Sequence, residues 1–157
     1  MNKNTKILFF LISTILLTSC GFQKINQNKA LIHFKNIKTS GENRIAYKLK
    51  NSILLVSNEM ATTTYDVDIK VIKKKSNKIK NDKGKITRYS LNISAIVNFN
   101  NINTQEIINK SFTESTDYNI AKNHSQTKDN EINATRILVD QLSESILNFI
   151  TISIKIK

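Results

Sequence analysis

The chain has 157 residues, 24 basic against 12 acidic, a formal net charge of +12, one cysteine, three glycines and no proline or tryptophan. That length accommodates one compact domain. A single cysteine excludes a disulfide framework or a cysteine metal cluster, and three glycines leave nothing for a glycine-rich phosphate cradle.

The first 19 residues read as an export signal. Lys3 and Lys6 make a positive start, and residues 7–17 (ILFFLISTILL) form an apolar run interrupted only by Ser13 and Thr14. Eleven residues suit a signal-peptide core and fall short of the roughly 20 that a bilayer-spanning helix needs. Leu17-Thr18-Ser19-Cys20 follows, similar to the bacterial lipobox. Small residues let an extended segment enter a peptidase cleft, and only a thiol accepts the diacylglycerol thioether. A plain secretory signal with an incidental cysteine is the competing reading. Against it, Cys20 is unique and stands where the apolar run ends. Cys20 is therefore the expected lipidation site and N-terminus of the mature chain, anchored to the membrane through its lipid. Gly21 rather than Asp after it points to the outer membrane, periplasmic face, by the enteric sorting rule.

Removal of the signal leaves 138 residues with 22 basic and 12 acidic side chains, a net +10. Such a domain attracts polyanions. Only Arg44, Arg88 and Arg136 are arginines, however, and Ile and Asn are abundant, so compositional drift in a low-GC genome explains part of the charge. Nucleic acid is not an expected partner of an exported lipoprotein.

Residues 20–29 are polar and aperiodic, a tether. Residues 30–37 (ALIHFKNI) predict a first strand with Ile32, Phe34 or their neighbours inward, punctuated by Gly41. Residues 43–58 predict a helix, because Ile45, Leu49, Ile53 and Val56 recur on one face, with Asn43 as N-cap. Residues 63–75 alternate, with Tyr65, Val67, Ile69 and Val71 on one side and Asp66, Asp68 and Lys70 on the other, a strand with one wet face. Residues 77–85 read as a turn. Residues 86–99 alternate again, Tyr89 through Phe99 on one side and Ser90, Asn92, Ser94 and Asn98 on the other. A second turn at residues 100–104 leads to a third long strand over residues 105–118. Residues 128–150 predict a second helix with Ile132, Val139, Leu142, Ile146 and Phe149 or Ile150 as its apolar stripe. Residues 151–157 alternate Ile with polar residues, a tail or short extra strand. The expected fold is α+β, β-α-β-β-β-α: a four-stranded, mostly antiparallel sheet with both helices on one face, in a single domain over residues 30–150.

Catalytic signatures are absent: no GxSxG, P-loop, HExxH or Cys–His grouping. His33 and His124 lie far apart, and Asp66 and Asp68 read as a solvated strand face rather than paired acid and base. No enzyme activity, metal or cofactor is expected. One binding candidate emerges. Lys73, Lys74, Lys75, Lys78, Lys80, Lys83, Lys85 and Arg88 crowd the ends of one hairpin, opposed by Asp82 alone. Clustered cations bind phosphate through charge-assisted hydrogen bonds. A solubilising turn in a lysine-rich chain accounts for the same residues equally well.

Taken in order, several segments resemble the LPS-assembly lipoprotein family, LptE. Ser19-Cys20-Gly21-Phe22 is similar to its Cys-Gly-Phe opening. Arg44 stands near the start of the first helix, with Leu49-Lys50-Asn51 inside it. Tyr65-Asp66-Val67-Asp68-Ile69 resembles the family's Y-x-L-x-V strand, and Thr87-Arg88-Tyr89-Ser90-Leu91 its T-R-x-x-L strand. Tyr118-Asn119 precedes a loop and a helix containing Asn133-Ala134 and Leu142, as the family's Y-N does. The likeness spans residues 20–150; the lysine-rich hairpin and the Ile-Lys tail depart from it. The resemblance implies a subunit of the lipopolysaccharide translocon, a plug and assembly partner of an LptD-type outer-membrane β-barrel. Polar faces such as Ser90, Asn92 and Ser94 would meet the barrel wall, and the basic hairpin would touch lipid A phosphates. The alternative from the residues alone is a stand-alone periplasmic lipoprotein that captures an anionic ligand with that hairpin.

Overall fold

A computed structural model of the protein describes residues 32–154; the signal, Cys20, the tether and the last three residues lie outside the described residues. Four strands form one sheet in the order β1-β2-β3-β4: β1 is Ile32–Gly41, β2 Thr63–Lys80, β3 Ile86–Asn101 and β4 Ile107–Asn119. Helix α1 (Asn43–Leu54) joins β1 to β2, and α2 (His124–Phe149) follows β4 and runs on into a π-helical turn, Ile150–Ile154. The β-α-β-β-β-α order and the α+β class agree with the sequence expectation.

The pairing follows from the connections. Tight turns make β2–β3 and β3–β4 antiparallel, whereas α1 carries the chain back so that β1 pairs parallel with β2. The period-two pattern places Val67, Ile69, Val71, Leu91, Ile93, Ala95, Val97 and Phe99 on one buried face. Against it pack Ala46, Leu49 and Ile53 of α1 and Leu138, Leu142 and Ile146 of α2, all 5% exposed or less. Ser52 and Ser143 join the helices through their hydroxyls at 3.2 Å. No described element covers the opposite sheet face.

Several boundaries move, each for a local reason. β2 continues through Lys80, because Asn77 still pairs with Tyr89 and Lys80 with Ile86 across two irregularities. The turn shrinks to five residues, closed by Asn81, whose carboxamide oxygen accepts from the amides of Lys83 and Lys85. Asn43 is the first helical residue of α1 rather than its cap; Glu42 precedes it without a side-chain cap bond. α1 ends at Leu54, four residues early, because Asn58 donates to the Ile32 carbonyl at 2.9 Å and Ser57 accepts from the Phe34 amide. α2 begins four residues early, at His124, where Asn123 accepts from the Gln126 amide at 2.7 Å. Its polar first turn has no apolar period to announce it. Ile132 leaves the predicted stripe and is 54% exposed. Ala134, about 200° around the helix from it, takes the core position instead.

Candidate functional site: a divided basic hairpin and a polar sheet face

Alternation along β2 divides the lysine cluster between the two faces of the sheet. Lys73 and Lys75 point to the helix side, where Glu131 of α2 receives both, at 3.0 and 3.4 Å. Lys128 approaches the same carboxylate at 3.7 Å, and the Tyr118 hydroxyl donates to it at 3.3 Å. Lys75 also stands 4.4 Å from the centre of the Tyr89 ring, a cation–π contact. Lys78 bonds Asp117, which Lys78's hydrogen bond holds below the ordinary carboxylate range. The Arg88 guanidinium donates to the Asn119 carboxamide at 2.9 Å. Lys74, Lys80, Lys83 and Lys85 are exposed and make no salt bridge among the described residues. The eight basic residues thus do not form one patch. Lys73, Lys75 and Lys78 serve as intramolecular ion-pair partners; Lys80, Lys83 and Lys85 leave free positive charge at the tip, and Lys74 stands on the polar face of the sheet. Residue type along the chain gives no sign of this division, because the acidic partners come from β4 and α2.

Glu131 organises the helix-side group. Burial alone would push its carboxyl up, but the Lys73 hydrogen bond and the charges of Lys73, Lys75 and Lys128 outweigh that and hold it at about 2, against 4.5 unperturbed. A carboxyl depressed in the folded state stabilises fully above its unfolded value. That contribution is lost as the pH falls from 4.5 toward about 2. Glu131→Gln is expected to cost about 2 kcal/mol near neutral pH, because Lys73, only 21% exposed in its side chain, loses its counter-ion. Urea titrations at pH 7 and pH 2.5 provide the check. The gap between wild type and variant should close at the lower pH, and an unchanged gap would contradict the assignment.

The uncovered sheet face is polar. Ser90, Asn92, Ser94 and Asn98 of β3 lie beside Asp117, Ser115, Thr113 and Asn109 of β4. Ser94 bonds Asn92 on its own strand (3.3 Å) and Thr113 on the neighbouring strand (3.0 Å). Asp66 accepts from Asn36 at 2.9 Å on the same face. Asp68 is exposed beside it. His33 lies in β1, its Nδ1 buried without a partner among the described residues, and His124 begins α2. Among the described residues no three acidic or histidine side chains gather as a metal site. A shallow cleft of about 250 Å³ between β4 and α2 is lined by residues including Asp117, Asn130, Asn133 and Ile137.

The fold is similar to that of a solved structure, rare lipoprotein B from Shewanella oneidensis. The similarity covers 76% of this chain and 93% of that one, at a TM-score of 0.57 and 12% identity. The two share a fold. A minor lipoprotein from Acinetobacter baumannii (14% identity, 77% and 92% covered, TM-score 0.48) is more distantly similar. So is a lipoprotein B from Nitrosomonas europaea (12% identity, 76% and 84% covered, TM-score 0.48). No protein-family model and no curated protein matches the sequence.

Proposed function

We propose that this protein is a lipid-anchored outer-membrane subunit of the lipopolysaccharide translocon, an LptE-like plug and assembly partner for an LptD-type β-barrel, without catalytic activity of its own. The observation that carries this reading is the fold shared with rare lipoprotein B, taken with the resemblance of the ordered sequence motifs to the LptE family. The Leu17–Cys20 lipobox and the ordered motifs through Leu142 support it from the sequence. In this reading acylated Cys20 holds the domain at the inner leaflet of the outer membrane, and the body fills the barrel lumen. The Ser/Thr/Asn rows of β3 and β4 oppose a polar interior wall, for which self-bonded short side chains are suited. The test is affinity capture of the chain from detergent-solubilised outer membranes, which should recover a large β-barrel protein. Recovery of no barrel, with lipopolysaccharide export intact after depletion, would sink the proposal.

The free charge at the hairpin tip favours a second reading, a periplasmic lipoprotein that binds an anionic ligand on its own. The expected behaviour is saturable, salt-sensitive binding of lipid A or another phosphorylated glycolipid. Replacing Lys80, Lys83 and Lys85 by Gln should weaken it at least tenfold if each cation contributes about 0.5–1 kcal/mol. Replacing Lys73 and Lys75 should instead act mainly on stability. Equal binding by both triple and double variants would assign the charge to composition alone.

A further inference from the structure

The two ends of the sheet differ in chemistry. Asn58 bonds the Ile32 carbonyl and Ile102 the Thr64 carbonyl, each at 2.9 Å. The loop leaving α1, the starts of β1 and β2, and the β3–β4 turn therefore meet at one end. α2 finishes there too, with the Phe149 ring 5.9 Å from Phe99 and 5.7 Å from Phe112. Leu54, Leu55, Met60, Ile102, Ile107 and Ile152 belong to this end, six of the eleven exposed large hydrophobic side chains among the described residues. Leu55 and Met60 are 85% and 89% exposed. Single exposed apolar residues are ordinary, but these arrive from three separate chain segments that share one end. The other end carries Lys80, Lys83 and Lys85, with Ile79 as the nearby apolar side chain.

We propose that the apolar end docks on a lipid bilayer, with Leu55 and Met60 inserted into its interface and the basic hairpin pointing away. For its geometry this rests on Cys20 being acylated, as the proposed function has it. Residues 21–31 separate Cys20 from Ile32, a reach of about 40 Å at full extension. The 18 residues of β2 span roughly 55 Å. A domain standing on its hairpin tip would hold Ile32 beyond the reach of an anchored Cys20, whereas the apolar end lies beside the point where the tether arrives. One acyl chain anchors only reversibly, and a second apolar contact slows release and fixes orientation. Glu59 and Glu106 lie in the two loops of this end, so the attraction is apolar and does not require anionic headgroups. Docking describes the anchored domain before a barrel encloses it.

The chain contains no tryptophan, so single indoles report position without background. Leu55→Trp, Met60→Trp and Ile79→Trp chains, exported, processed and fed radiolabelled palmitate, are mixed with excess phosphatidylcholine vesicles carrying brominated acyl chains, at high salt. The Leu55→Trp and Met60→Trp indoles should shift to the blue and be quenched at least twofold more than the Ile79→Trp indole. Equal quenching at all three sites, or a blue shift that appears without vesicles and grows with protein concentration, overturns lipid docking; the second outcome assigns the patch to another copy of the chain. Palmitate incorporation reads the anchor separately. A labelled chain with unquenched indoles removes docking alone, and an unlabelled chain with a quenched Leu55→Trp indole removes the anchor alone.

Discussion

Phe99→Ala should destabilise the domain by about 3–5 kcal/mol, the largest effect expected of any single truncation here. Phe99 is fully buried. Its ring lies 6.5 Å from that of Phe34 on β1 and 5.9 Å from that of Phe149 on α2. It therefore links the edge strand, a central strand and the end of the long helix. Removing it loses transfer free energy and leaves a cavity that three rigid elements cannot close. The same cluster supports the apolar end, so the variant should also loosen the π-helical turn at Ile150–Ile154. Urea unfolding followed by circular dichroism gives the first number, and hydrogen exchange at residues 146–152 gives the second. A loss below about 1.5 kcal/mol, the range of volume-conserving swaps, would mean that the cluster does not carry the packing assigned to it.

Gly41→Ala should cost about 2–4 kcal/mol, although the residue ends an exposed edge strand. Gly41 has φ +86°, where an alanine pays a backbone penalty of about 1–2 kcal/mol. A Cβ there would also overlap the Val71 carbonyl oxygen. That oxygen accepts from the Glu42 amide at 3.2 Å, so relief of the clash must open the junction where β1 leaves β2 and α1 begins. Gly84 supplies the control. Its φ is +74°, but nothing lies within 4 Å of the site of a Cβ, and Gly84→Ala should cost only the backbone penalty, about 1 kcal/mol. Equal losses from the two variants in parallel urea titrations would show that the close approach to Val71 carries no energy.

The fold was legible in the sequence to the extent that periodicity encodes it. Period two in β2 and β3 identified the strands and their buried face, and the Ile45-Leu49-Ile53 spacing identified α1, because burial on one face leaves a repeat that needs no knowledge of the partner. Boundaries that carry no repeat are not legible in this way. The polar opening of α2 depends on the Asn123 cap, and the last turn of β2 depends on pairing with residues 86–89 of β3. Ile132 looked like part of the stripe, but the approach of α2 to the sheet selects the smaller Ala134.

The lipobox-like run ending at Cys20, the net positive charge and the order of the elements are legible in the sequence by itself, since each depends on residue type and local spacing. The tertiary structure decided what the charges do. Lys73, Lys75 and Lys78 were indistinguishable from Lys80, Lys83 and Lys85 along the chain. Folding brings Glu131 to the first two and Asp117 to the third, across separations of 58, 56 and 39 residues. It also gathered exposed apolar residues from the α1 exit loop, the β3–β4 turn and the end of α2 at the end nearest Ile32. Neither outcome is encoded locally, because both depend on which strand ends and helix ends the topology makes neighbours.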